Sequence, residues 1–428
     1  MKKILAFFRF LAGIFSIYVN KFEKKVDKFL INLSKYANKY VSNKETLRLM
    51  KEDLVVFNLW LERKYKGYKY LKKKKRKILY ENTGRIVQEL NLFCEKSVPD
   101  KRALHEHLYK LGMNQSYIRS KEKELIYLAQ IMSFFRGPGN FLYREGANFG
   151  ALLEDPRKNK LIGDCNQIVT MYIYLFGLKY DMAEMKIKIL PEHVCLHFYG
   201  IDIEATSGAF CQHKKPDMKI LPVEEIISTN LLDISDATKK SNAISNASLL
   251  ESSTLAFLIS SNKELVKKNL LVSYHNIAAE LSNEGKFKQA LYYARKSENK
   301  KLVESMLVRA VNYFVKKENF SRASHYANLS GKNELVNHVS RANAVFYFHK
   351  KNYQRALSLA QQLRDTQLIN ACYEAMFVQL QKKISHCRTV ADLKKHSYVL
   401  YQMRDLANKS GNQGMITRAA DLLRQSQR

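Results

Sequence analysis

Cysteine is scarce: six in 428 residues, at 94, 165, 195, 211, 372 and 387. Their spacing is irregular, which excludes a small disulfide-stapled framework and favours a reducing compartment. No proline occurs before Pro99. Nothing therefore breaks the apolar pattern of threes and fours from about residue 20 to 135, and that pattern predicts helix throughout. A bilayer-crossing run is also missing, since the apolar start Ile4–Val19 falls short of the ~20 residues a span needs. No small-x-small cleavage site follows it, and no zinc finger, helix-turn-helix or other named nucleic-acid module is found. Acidic residues are few, 40 against 72 Lys and Arg, for a net charge of +32. Such a field attracts phosphates, anionic lipid or acidic proteins.

The basic excess is concentrated. Residues 1–99 hold 24 Lys and Arg against 9 Asp and Glu, and the densest run is "YLKKKKRK", Tyr70–Lys77. A solvated lysine-rich helix face is the first expectation for that run, anionic lipid the second, and nucleic acid the least favoured partner. In the first twenty residues Lys2, Arg9, Gly13, Ser16 and Asn20 form one polar stripe on an otherwise apolar helix. Two readings of residues 1–30 stay open: a helix lying on a membrane, with Lys21, Lys24, Lys25 and Lys28 near anionic headgroups, or a helix packed on the protein itself. The expected location is cytoplasmic, peripheral on the membrane under the first reading. Secretion stays open too.

A basic helical region, 31–135, precedes "RGPGN" at 136–140. Residues 136–232 change character: glycines are frequent, and "MKIKIL", "HVCLHF" and "IDIEA" read as short strands of an α+β core. The Ser-, Asn- and Ala-rich stretch from Asp233 to Thr254 has no clear period and predicts a linker over 233–262. Helical repeats are expected over 263–428. There "NEGKFKQALYYA", "KKENFSRASHYA" and "HKKNYQRALSLA" align without gaps, placing Phe287, Phe320 and Tyr353 at intervals of 33. Ala290, Ala323 and Ala356 recur in register, as do Ala294, Ala327 and Ala360, with Ala278, Val311 and Ala344 in the preceding helices. Small residues at helix crossings with an aromatic wedge after the turn are what stacked helical hairpins require. The pattern resembles the tetratricopeptide repeat over roughly 270–365. It lacks the usual repeat-end proline, and its period is 33 rather than 34. The resemblance implies degenerate repeats with a groove for a peptide or a partner helix.

The segment "GDCNQIVTMYIYLFGL" sets Cys165 behind a turn and cap, at the start of a buried helix. A helix N-terminus stabilises a thiolate through its free N–H groups and dipole, although a buried structural cysteine is the commoner outcome. Asp164, Asn166 and Gln167 read as capping residues first and as substrate contacts second. Downstream, "LPEHVCLHFYGIDIEATSG" reads as two strands joined by a tight turn at Tyr199-Gly200. In that register His193 opposes Thr206 and Glu204 opposes Cys195. Glu204 becomes a diagonal neighbour of His193, close enough to hold an imidazole nitrogen. Asp202 is expected to point to the other face. His193, Cys195 and His197, with Cys211 and His213, also raise a zinc site, but their spacing matches no common zinc motif.

Together "GDCNQ", "EHVCLHF" and "EAT", standing where "DPT" is usual, resemble the transglutaminase-like superfamily, whose fold is related to papain-type cysteine proteases. The resemblance covers about 140–232. It implies that Cys165 attacks an amide or ester carbonyl, that His193 takes and returns the proton, and that Glu204 orients the imidazole. No metal or cofactor is implied, and no acidic cluster suggests the calcium dependence of some relatives. The expected fold is mostly α, with a small α+β transglutaminase-like core and a C-terminal α-solenoid of helical hairpins. The expected function is thiol acyl transfer or amide hydrolysis on a protein or peptide recruited by the repeats. The alternative is a catalytically inactive scaffold that binds protein partners through core and repeats.

Overall fold

The computed structural model describes residues 17–33, 39–137, 140–214, 218–234, 239–240 and 243–428. Residues 1–16, which carry most of the expected amphipathic stripe, lie outside them. Among the described residues, no helix is long and apolar enough to cross a membrane. The protein is mostly helical, with a small sheet region, and divides into two compact units, Met1–Ile277 and Ala278–Arg428.

In the first unit, helix Lys39–Lys64 is broken at Asp53, whose carboxylate accepts a hydrogen bond from the Val56 N–H at 2.9 Å and so caps the second half. The half that follows is buried on every side from Leu54 to Leu61, Asn58 included. A helix without a polar face has nowhere to go but the core. The basic run feeds the next helix, Lys73–Lys96, and is not uniformly solvated: Lys72, Lys74 and Lys77 are exposed, whereas Leu71 and Arg76 are buried. Arg76 donates to Glu23 from Nε at 2.7 Å and from Nη2 at 3.0 Å, and to the Leu71 carbonyl at 2.6 Å.

Helices Lys101–Lys110, Gln115–Ser120 and Glu122–Arg136 lead into the sheets. Strands β1 (Phe141–Tyr143) and β2 (Leu161–Gly163) form a parallel pair. Strands β3 (Lys186–Leu190), β4 (His193–Phe198), β5 (Ile201–Glu204), β6 (Ala209–Cys211) and β7 (Lys219–Pro222) form an antiparallel sheet in the order β6-β5-β4-β3-β7. Helix Cys165–Gly177 packs against β4, with Phe176 edge-on to Phe198 at 5.7 Å. Where the sequence predicts a linker, a helix forms from Asn246 to Ile259, capped by Ser245. Burial of Leu255, Ala256 and Ile259 outweighs the weak helix propensity of its serines.

The second unit stacks helices Phe287–Lys296, Lys300–Lys316, Phe320–Ser330, Asn333–His349, Tyr353–Leu363 and Thr366–Lys383. The three aromatics of the repeat each open a helix, and all six of its alanines are fully buried. The turns repeat as closely as the side chains do. Left-handed residues fall at Gly285, Glu318 and Lys351, and again at Glu298, Gly331 and Arg364. After the first set, the N–H groups of Lys286, Asn319 and Asn352 bond to Leu281, Phe314 and Tyr347, each at 2.9 Å. These are the helix-ending loops that a left-handed residue permits. A larger side chain at a crossing has no room, so Ala323→Leu is expected to lower stability by about 1–3 kcal/mol. The urea midpoint measures this, and an unchanged midpoint would refute close packing at Ala323.

Candidate active site

The cysteine helix begins with a closed capping box. Asp164 accepts from the N–H groups of Asn166 at 3.0 Å and Gln167 at 3.4 Å, and the Gln167 side chain accepts from the Asp164 N–H at 3.1 Å. Gln167 also donates to Asp233 at 2.8 Å. Asp164 and Gln167 are thus structural caps, while Asn166 lines a cavity beside Cys165. Burial, then the nearby Asp233 carboxylate, push the Asp164 carboxyl up to about 7. Cys165 is the first helical residue and is half-buried.

The β4–β5 hairpin turns through Tyr199 and Gly200, both with positive φ, as a two-residue hairpin of right-handed twist requires. Leu196 pairs with Ile203 and His197 with Asp202, the register expected from the sequence. It brings Nε2 of His193 to 2.8 Å from Oε2 of Glu204. The other carboxylate oxygen accepts from the Thr206 hydroxyl at 2.6 Å and from its N–H at 3.3 Å. His193 is pushed up to about 10, first by its hydrogen bond with Cys165 and then by that with Glu204. Burial alone would raise the Glu204 carboxyl, but the bonds from His193 and Thr206 outweigh it and hold the group below its usual range. Of the three residues expected to act together, His193 and Glu204 bond directly, and Cys165 lines the same cavity as His193.

Asp202 departs from expectation. Residues two apart on a strand share a face, so it lies on the same face as Glu204 rather than the opposite one. Partners, not direction, separate the two acids. Asp202 is fully buried and accepts from His197 Nδ1 at 2.7 Å, Lys188 Nζ at 2.6 Å and the His213 N–H at 2.8 Å. Its charge is spent on those three. The zinc reading of this face also fails geometrically. Cys195 is fully buried with its thiol pushed up by burial, His193 and His197 are each held by an acid, and the five ligand atoms do not converge.

Two features escaped the sequence reading. His213 places Nε2 at 3.3 Å from Glu204, a second imidazole on the same carboxylate. Beside Cys165 and His193 lies a cavity of about 580 Å³ whose far wall is Thr229, Leu232, Asp233, Leu265 and Lys268. Thr229 and Leu232 come from helix Glu225–Leu232, Asp233 caps that helix, and Leu265 and Lys268 come from helix Lys263–Asn283. Their sequence pattern reports only helical packing, so no motif marks them. No known family model matches the chain, and neither the curated proteins nor the solved structures include a significant match to it.

Proposed function

We propose that the chain performs thiol-dependent acyl transfer, in its simplest form amide hydrolysis, through Cys165, His193 and Glu204, on a protein or peptide that the C-terminal helical hairpins recruit. The observation that carries this reading is an imidazole bonded to a carboxylate at 2.8 Å, beside a cavity that the helix-start thiol also lines. Imidazolium beside sulfur favours the thiolate, which is the nucleophile. The thiolate adds to the carbonyl carbon and its charge passes to the carbonyl oxygen. The N–H of Cys165, first in its helix, is the natural donor to that oxyanion, since Asp164 already takes those of Asn166 and Gln167. His193 then gives its proton to the leaving amine. Water attacks the thioester with its proton passing to His193, and the thiol leaves. Glu204 holds the ring throughout, as an orienting acid does in related triads.

Limiting iodoacetamide at pH 6 tests the reading. Cys165 is expected to alkylate at least about tenfold faster than the other thiols. Burial pushes up Cys94, Cys195, Cys211 and Cys372, and half-buried Cys387 is the internal control to monitor by peptide mass. Equal sluggishness of all six thiols would favour the scaffold alternative.

A further inference from the structure

The geometry points to a zinc site in the C-terminal unit, formed by His386, Cys387 and His396. One ligand atom from each lies within 4.8 Å of the others, and Sγ of Cys387 is 3.6 Å from Nδ1 of His396. A tetrahedral zinc ion with Zn–N of about 2.0–2.1 Å and Zn–S of about 2.3 Å puts a nitrogen and a sulfur roughly 3.5 Å apart. The observed separation therefore already suits a shared ion. The rings of His386 and His396 meet edge-on at 5.3 Å, so the third ligand stands on the same side.

The loop is built before any ion arrives. Cys387 N–H bonds to the Ile384 carbonyl at 3.1 Å, and His396 N–H to the Leu393 carbonyl at 3.1 Å. Between them a capping box joins Thr389 and Asp392 at the start of helix Val390–Lys395. The Asp392 carbonyl lies 3.0 Å from Nδ1 of His396 and fixes the ring plane. Ligation through Nδ1 exchanges that hydrogen bond for the metal and leaves the ring proton on Nε2. The Cys387 thiol releases its proton to solvent, so one proton leaves per ion bound. Exposed His386 and half-buried Cys387 and His396 give the ion a way in, and water completes the fourth position.

The donor set selects the ion. One sulfur and two imidazoles suit zinc, whereas calcium and magnesium require oxygen donors that this cluster does not offer. Lys382, Lys383, Arg388, Lys394 and Lys395 flank it in sequence. Their charge opposes a cation held by electrostatics alone, so affinity depends on soft coordination. A bound ion would tie the segment after helix Thr366–Lys383 to the start of helix Ser397–Ser410.

The test is cobalt titration of the chelator-stripped full-length chain under reducing conditions. One Co²⁺ per chain is expected, with tetrahedral d–d bands and a thiolate-to-cobalt charge-transfer band that zinc abolishes by displacement. Cys387→Ser should remove the charge-transfer band. His386→Ala and His396→Ala should each weaken binding by at least the ~10- to 100-fold that loss of a supporting hydrogen bond costs at such sites. His386 is exposed, so its replacement leaves the fold intact. Cys165→Ala should leave the spectrum unchanged, which separates this site from the thiol–imidazole pair of the first unit. Sub-stoichiometric cobalt, a charge-transfer band that survives in Cys387→Ser, or one lost in Cys165→Ala would overturn the assignment.

Discussion

Replacing His193 with alanine is expected to lower steady-state turnover of a peptide ester by about 100- to 10,000-fold, the contribution of a positioned general acid–base. Cys165→Ala should abolish turnover. The size of the first effect follows from two separate losses. In the free protein the imidazole is held protonated up to about 10, with the Cys165 contact as the largest cause and Glu204 the second. In the proposed mechanism alanine removes the proton donor to the leaving amine, so acylation slows. In the proposed second stage His193 acts as base toward the water that attacks the thioester, a role alanine cannot fill. A p-nitrophenyl ester separates the two stages as burst and steady state, and His193→Ala should suffer in both. Glu204→Gln keeps a hydrogen-bond acceptor but no charge, so its loss should be smaller than that of His193→Ala. Activity retained in Cys165→Ala, or a His193→Ala variant as fast as the natural chain, would leave only a protein-binding role.

Arg76→Ala is expected to destabilise the first unit by about 3–5 kcal/mol, because it strands a fully buried Glu23 carboxylate. Desolvation makes an unpartnered buried charge far more costly than the pair is favourable. The Tyr80 hydroxyl and the Val19 N–H would still donate to Glu23, each at 2.6 Å, but neither supplies the positive charge of a guanidinium. Replacing both partners, Glu23→Leu with Arg76→Met, should recover most of the loss. Lys74→Ala and Lys77→Ala, in the same basic run but exposed, should change stability by less than about 0.5 kcal/mol. Urea unfolding of the four variants checks the series. Equal small effects for Arg76 and the two lysines would mean that the buried pair does not form.

What could be read from the sequence was local. The interval between Phe287, Phe320 and Tyr353 fixes three helix starts because one residue type must fill one wedge each time. The tight turn at Tyr199-Gly200 fixes the register of β4 and β5, since a one-residue slip would turn every side chain over. The same rule, applied correctly, places Asp202 beside Glu204 on one face. Which acid serves His193 is decided instead by Lys188 and His197 engaging Asp202, contacts that bare alternation does not rank. The buried Arg76 inside a lysine run, the helix at Asn246–Ile259 and the cavity wall at Leu265 were illegible for one reason. Each is set by what packs against it from far along the chain, and local composition says nothing of that.

The recurrence of one backbone bend in the C-terminal unit has a bearing on how that unit can vary. Gly285, Glu318 and Lys351 make three copies of a single joint, and Glu298, Gly331 and Arg364 three copies of another. Cutting at one joint and splicing at the next of the same set deletes a whole period while leaving both ends in matching geometry. The array is thus open to shortening or lengthening by units of 33 residues, its length changing in fixed steps.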